Sequence, residues 1–245
     1  MKNYITLFMF LSILSCAPSN IQQKSTFEGI NISRLTSNTV AFVAVDADGD
    51  TVSFCTGTWI SEKTILTASH CVEAYGRAMN NVDDNTPYDP SGDPIAFIVK
   101  EDVNISVYMT PVERFRFAHV TVADIDNDVA LVEVFEGFVP KHTKMNTNCD
   151  PVLEIGTQVH SVSNMQGLTW SYTKGYISAV RKQPFAGKIR DYVQIAFDGE
   201  HGSSGSAAYD DNGCMIGVIT TMTNNRMMFS VDPLTVRHVL QGVKE

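Results

Sequence analysis

From Thr39 onward the apolar residues of this chain recur in short runs rich in Val, Ile, Phe and Thr, separated by turn residues and almost nowhere at helical spacing. This pattern is the tightest constraint on the fold, because a strand presents its side chains to alternate faces and a helix does not. The first run, Val40 to Val45, is followed by Asp46-Ala47-Asp48-Gly49-Asp50 and then by Thr51 to Ile60. The aspartates between them are followed by no Glu that would close an EF-hand loop, so a hairpin turn is expected there. Further strands are expected at 64–68, 95–100, 104–109, 115–122 and 129–135. Residues 77–94 read as a polar, proline-bearing loop and 137–148 as a linker. A second set of strands follows at 157–163, 169–180, 190–197, 206–210 and 214–221, with Asp211-Asn212-Gly213 marking a hairpin between the last two. Only Leu234 to Val243, opened by Asp232-Pro233, has convincing helical spacing outside the N-terminus. The strands do not alternate with helices, so the expected class is all-β, a barrel or sandwich pair dividing near residue 140.

A chain of 245 residues, 44% of them hydrophobic, can bury one large core or two small ones. A formal charge of −9 with no basic run argues against a nucleic-acid partner, which calls for a basic face. At the N-terminus, Lys2 precedes an apolar run from Ile5 to Leu14 that is too short to span a bilayer and suits a signal segment. The following Leu14-Ser15-Cys16-Ala17 resembles a bacterial lipoprotein cleavage box, with Cys16 as the lipidated residue, although a small residue is usual where Leu14 stands. Residues 1–15 are thus expected to be a lipoprotein-type signal and 16–36, rich in Ser, Asn and Gln, a polar tether. The expected location is the cell envelope, periplasmic or at the cell surface, with a lipid at Cys16 as the sole membrane attachment. An ordinary cleaved signal and secretion is the alternative. With Cys16 lipidated, four of the five cysteines remain, an even number that suits disulfides in an oxidising compartment. The lack of a CxxC pair argues against a zinc ribbon.

Three stretches carry candidate chemistry. Glu200 to Tyr209, EHGSSGSAAY, crowds small residues around serine hydroxyls. A nucleophilic serine needs such a setting, because its Oγ must be reachable and nearby N–H groups must face the oxygen that gains charge. Gly/Ser clusters are more often plain turns, so the weight comes from TASHC, Thr67 to Cys71, and DNDVALVEV, Asp126 to Val134. Together they supply His, Asp and Ser in that order, which excludes the α/β-hydrolase arrangement, where the serine comes first. Spacing alone leaves Asp124, Asp126 and Asp128 open for the acid, and Ser203, Ser204 and Ser206 for the hydroxyl.

The combination resembles the chymotrypsin-like (trypsin-like) serine peptidases. The bacterial HtrA-type and glutamyl-endopeptidase-like branch is closest, through Lys174 to Val180, Val193-Gln194, Gly202-Ser203-Ser204-Gly205, Asn212-Gly213 and Ile216 to Thr220. The resemblance spans roughly residues 38 to 243. It implies two six-stranded antiparallel β-barrels, 37–140 and 141–245, with a short C-terminal helix, together forming one peptidase domain. It also implies a serine endopeptidase using His70, Asp128 and Ser204, with the backbone N–H groups of Gly202 and Ser204 as the oxyanion hole. Cys55 and Cys71 match the disulfide that braces the histidine, and Cys149 and Cys214 are the remaining pair. Protein or peptide substrates are implied, with no metal and no organic cofactor. The alternative is a catalytically silent relative that binds peptides or partner proteins through the same cleft.

Departures from the family pattern qualify this. Ser203 replaces the Asp that pairs with a new N-terminus in trypsin-type enzymes, and no matching mature start is visible, so activation by that ion pair is not expected. Ser206-Ala207 replaces the common Gly-Pro, and no PDZ-sized segment follows. The primary pocket is expected to be walled by the segment before Ser204, including Asp198 and His201, and by Thr220, Thr221 and Met222. Asp198 stands where trypsin-like enzymes place the acid that pairs with Lys or Arg, but in the HtrA branch that residue need not face the pocket.

Overall fold

The structure, a computed structural model, describes residues 30–45, 51–73, 96–102, 113–134, 149–185, 188–223 and 227–241. Among the described residues, twelve strands form two closed antiparallel barrels. The first barrel contains β1 (Thr39–Val45), β2 (Thr51–Trp59), β3 (Thr64–Thr67), β4 (Ala96–Asp102), β5 (Glu113–Asp124) and β6 (Val129–Val134), in the order β1-β2-β3-β6-β5-β4. The second contains β7 (Gln158–Met165), β8 (Leu168–Phe185), β9 (Lys188–Ala196), β10 (Ala207–Tyr209), β11 (Met215–Thr223) and β12 (Met227–Val231). Their order is β10-β11-β12-β9-β8-β7. Closure leaves neither sheet with an open edge.

Strand periodicity explains how two barrels make one body. In β6, Ala130, Val132 and Val134 point into the first barrel, where they meet Phe42, Trp59 and Ile65. The alternate residues Val129 and Leu131 point outward and pack with Leu66, Val162, Ala207 and Val218. Both faces of this strand are buried, so it reads as a continuous apolar run. A third cluster, built on Val159, Ile177, Val193, Ile195 and Ile216, fills the second barrel. The seam between the barrels is extended by the C-terminal helix, Pro233–Gln241, through Val236 and Val239. Asp232 opens that helix by accepting from the N–H groups of Leu234 (2.9 Å) and Thr235 (3.1 Å), and Pro233 fits the first helical position.

Several expectations need correction. Within the stretch read as tether up to residue 36, the described residues from Ile30 on include a short helix, Ile32–Ser37, capped by Asn31, with Ile30 and Leu35 buried in the seam. A polar composition concealed two apolar anchors. β12, absent from the expected strands, pairs with both β11 and β9 and is what closes the second barrel. β8 runs to Phe185, beyond the expected 180. The signal, Cys16, the Asp46–Asp50 turn, the loop at 77–94, the expected strand at 104–109 and the linker at 137–148 lie outside the described residues.

Because the seam is shared, truncating it should weaken both barrels at once. Leu131→Ala is expected to lower stability by about 2–5 kcal/mol, in a single denaturant transition seen alike by far-UV and tryptophan signals. Two separated transitions would contradict a common seam.

Candidate active site

The site lies where a loop of the second barrel meets the seam-facing end of the first. β3 ends at Thr67, and the described residues 69–73 that follow are helical and carry His70. A disulfide from Cys71 back to Cys55 of β2 fixes this segment to the barrel. The turn Ile125 to Asp128 leads into β6 and brings Asp128 under the imidazole. Asp128 has a positive φ of 56°, which its short polar side chain tolerates better than most. Its carboxylate is 4% exposed, against 40% for the His70 side chain.

The hydrogen bonds define what this pair can do. His70 Nδ1 lies 2.9 Å from Asp128 Oδ2 and 3.0 Å from Oδ1, and the His70 backbone N–H donates to Oδ1 at 3.0 Å. Ser69 Oγ adds a bond to the same oxygen at 3.1 Å. An ionised carboxylate has no hydrogen to give, so Nδ1 is the donor in these bonds, and in the neutral imidazole that tautomer leaves the lone pair on Nε2. Asp124 and Asp126 are placed otherwise. Asp124 accepts from the Asn127 backbone at 3.0 Å and side chain at 2.7 Å, and Asp126 is exposed.

The three serines separate in the same way. Ser203 is buried, with its Oγ 3.3 Å from Ser163 Oγ and accepting from the Glu200 N–H at 3.4 Å. Ser206 is also buried, donating to the Ser203 carbonyl at 2.8 Å. Ser204 is half-buried, and among the described residues its Oγ has no hydrogen-bond partner. Its carbonyl accepts from the Thr56 N–H at 2.8 Å and lies 3.7 Å from Cys71 Sγ, against the disulfide beside the histidine. Of the three, Ser204 alone offers a reachable, unengaged hydroxyl.

Backbone conformation around Ser204 leaves donors unspent. The His201 carbonyl accepts from the Gln166 N–H at 2.7 Å, and the Ser203 carbonyl from the Ser206 N–H at 3.1 Å. In a trans peptide the N–H points opposite to the carbonyl, so the Gly202 and Ser204 N–H groups face away from those anchors. Among the described residues neither donates to a protein acceptor. Gly202 has φ 95°, and a Cβ there would stand 2.2 Å from the Asn164 carbonyl oxygen, so the loop accepts only glycine.

The other expected residues are distributed along the same face. Asp198 and His201 are exposed; Thr220 of β11 is buried, and Thr221 and Met222 are half-buried. Met222 packs against the second-barrel core, which includes Met228. The backbone at Gly199 also abuts Met228, where an added Cβ would meet Sδ at 2.4 Å. The segment before Ser204 is therefore backed by apolar, polarisable side chains. Cys149 and Cys214 are joined by a second disulfide.

Two other groupings resemble functional clusters without the required chemistry. His160 has a carboxylate partner, Asp211 Oδ1 at 2.7 Å, but its Nδ1 bonds Tyr172 Oη at 2.8 Å and its side chain is 0% exposed. With both nitrogens engaged it is a satisfied core histidine. Cys55, His70 and Cys71 lie within metal-binding reach of one another, but the two sulfurs are bonded together and offer no thiolate. Sequence reading did not single out Ser69, Thr56, Asn164 or Gln166. The first two lie inside or beside the motifs, but hydroxyls and amides carry no spacing signal of their own.

Comparison with known proteins bears on the family and the fold. A probable periplasmic serine endoprotease, DegP-like, of Bartonella henselae is 28% identical over 127 residues, 50% of this chain and 25% of that protein. The match therefore spans about a quarter of that relative's length. A protease from M. tuberculosis, solved in its active form, has a TM-score of 0.63 at 19% identity, covering 87% of this chain and 83% of its own. The HtrA-type protease AlgW, solved with a tripeptide, has a TM-score of 0.64 at 19% identity, covering 87% of this chain and 62% of its own. At these identities the two structures show a shared fold. The family model described as the trypsin-like peptidase domain matches residues 55–218, most of the described chain, and the chain belongs to that family.

Proposed function

We propose that this chain is a serine endopeptidase that hydrolyses peptide bonds through Ser204, His70 and Asp128, with the two barrels, 37–140 and 141–245, acting as one peptidase domain. The observation that carries the reading is the divided environment of His70. Its Nδ1 is held by a buried carboxylate while the side chain stays 40% exposed, and the Ser204 carbonyl lies 3.7 Å from Sγ of the neighbouring Cys71.

In this reading Ser204 Oγ attacks the substrate carbonyl carbon as His70 Nε2 takes its proton. The carbonyl oxygen, now negative, accepts from the N–H groups of Gly202 and Ser204; one such donor is typically worth about 2.7–4 kcal/mol. Collapse of the tetrahedral intermediate breaks the C–N bond, and His70 returns the proton to the leaving amine. Water then releases the acyl group by the same route in reverse. Asp128 keeps the imidazole in the required tautomer and stabilises the imidazolium.

For the primary pocket we infer an apolar wall from Met222 and Met228, with Asp198 facing solvent rather than a bound Lys or Arg. A location outside the cytoplasm is supported by the signal-like N-terminus, by two disulfides and by similarity to a protein described as periplasmic. We place the mature chain in the cell envelope, with a lipid on Cys16.

Three outcomes are expected. Ser204→Ala and His70→Ala should each lower kcat on a peptide substrate by about 10⁶-fold, and the double variant should be no worse than either alone. An active, folded Ser204→Ala protein would refute the mechanism. Asp198→Asn should leave kcat/KM for peptides with Lys or Arg before the cut bond nearly unchanged, whereas a pocket carboxylate would make it fall steeply. Metabolic labelling with a radioactive fatty acid should mark the wild-type protein in bacterial cells and not Cys16→Ser; label in both would move the attachment elsewhere.

A further inference from the structure

We propose that Thr56 is a positioning residue for the loop that carries Ser204: its buried hydroxyl holds the Gly202 carbonyl and so fixes the 202–203 peptide plane, the link between the two planes that carry the Gly202 and Ser204 N–H groups. The inference rests on the endopeptidase reading and adds to it a residue from the opposite barrel.

Thr56 lies in β2, fully buried. Its Oγ1 donates to the Gly202 carbonyl at 2.6 Å and accepts from the Asn164 backbone N–H at 3.0 Å and from Asn164 Nδ2 at 3.1 Å. One donor and two acceptor positions exhaust what a hydroxyl can offer, so its orientation is fixed. The Thr56 backbone N–H takes the Ser204 carbonyl at 2.8 Å. One residue therefore grips the carbonyls on both sides of Ser203. Asn164 is itself fully buried and fixed from both barrels: Nδ2 also donates to the Val40 carbonyl at 3.1 Å, and Oδ1 accepts from the Trp170 N–H at 3.3 Å.

The consequence follows from peptide planarity. With the carbonyls of His201, Gly202, Ser203 and Ser204 all tied to protein donors, the planes between them cannot rotate without breaking a buried bond. A flip of the 201–202 or 203–204 plane would turn an N–H away from the substrate oxygen; the Gln166 and Ser206 N–H groups tie those two planes, and Thr56 ties the 202–203 and 204–205 planes adjoining them, so neither can turn as a crankshaft with its neighbour. In trypsin-type enzymes an ion pair at the position of Ser203 holds this loop; here a neutral hydroxyl from β2 and an amide from β7 take that part.

The test uses Thr56→Val, which keeps shape and removes the hydroxyl. A methyl needs roughly 3.3–3.6 Å from a carbonyl oxygen, so the Gly202 carbonyl must move. On a peptide substrate kcat is expected to fall by about 10²-fold or more, the typical loss for one oxyanion donor, with KM little changed and the pH profile unmoved. Thr56→Ser should restore kcat to within a few-fold of wild type. Val134→Ala, which costs stability inside the first barrel at the end of β6 away from Asp128, should keep wild-type kcat. Should Thr56→Val fail to fold, Thr56→Ala serves, since it cannot overpack. A readout independent of activity is amide hydrogen exchange: residues 202–206 should exchange faster in the Thr56 variant while β9 is unchanged. A folded Thr56→Val or Thr56→Ala protein with wild-type kcat, or with unaltered exchange in 202–206, overturns the proposal. If the wild-type protein cleaves nothing, the endopeptidase reading fails, and the exchange measurement still decides the role of Thr56.

Discussion

The structure depends most on the seam between the barrels, where apolar packing and a small set of buried polar bonds occupy the same few strands. Leu66, Val129 and Leu131 face Val162, Ala207 and Val218 across it. At one end of the seam, β2 passes against the loop 202–205 so closely that Gly205 would place a Cβ 2.1 Å from the Thr56 carbonyl oxygen. Such an approach leaves no space for water, so the Gly202 and Ser204 carbonyls that face β2 have to be satisfied by protein. Apolar burial supplies most of the free energy that joins the barrels, and the polar bonds fix their register. Each contributes only about 0.5–1.5 kcal/mol net, but a buried partner left unpaired costs more.

This arrangement divides the labour between the two barrels. The first supplies the imidazole and carboxylate, locked by the helical residues 69–73, the Cys55–Cys71 disulfide and the Ile125–Asp128 turn. The second supplies the hydroxyl and the N–H groups that point away from their anchored carbonyls. The hydroxyl of Ser204 comes from one barrel and the imidazole of His70 from the other, so alignment of one barrel on the other sets their geometry. That is the structural basis for reading the bonds from Thr56 and Asn164 as part of the site as well as part of the scaffold.

The β class was legible because strand periodicity is a local property: VALVEV in β6 and the hairpin signal at Asp211-Asn212-Gly213 mark themselves. Elements that exist for tertiary reasons were not. The helix Ile32–Ser37 has few apolar residues and is held by burying Ile30 and Leu35, a contact that no local window contains. β12 is short, follows polar residues and is a strand because β9 and β11 flank it. At the site, motif resemblance singled out His70, Asp128 and Ser204; in the structure Asp128 meets the imidazole while Asp124 binds Asn127, and Ser203 and Ser206 turn inward. Thr56 and Asn164 escaped notice because their partners lie more than a hundred residues away in sequence.

The most direct measurement is the stoichiometry and position of phosphonylation by a fluorophosphonate, which reacts with a serine only when a neighbouring base has activated it. The account predicts one adduct per chain, mapped by peptide mass to Ser204 and absent in His70→Ala. A folded wild-type protein that takes up no reagent, or an adduct on Ser203 or Ser206, would contradict it.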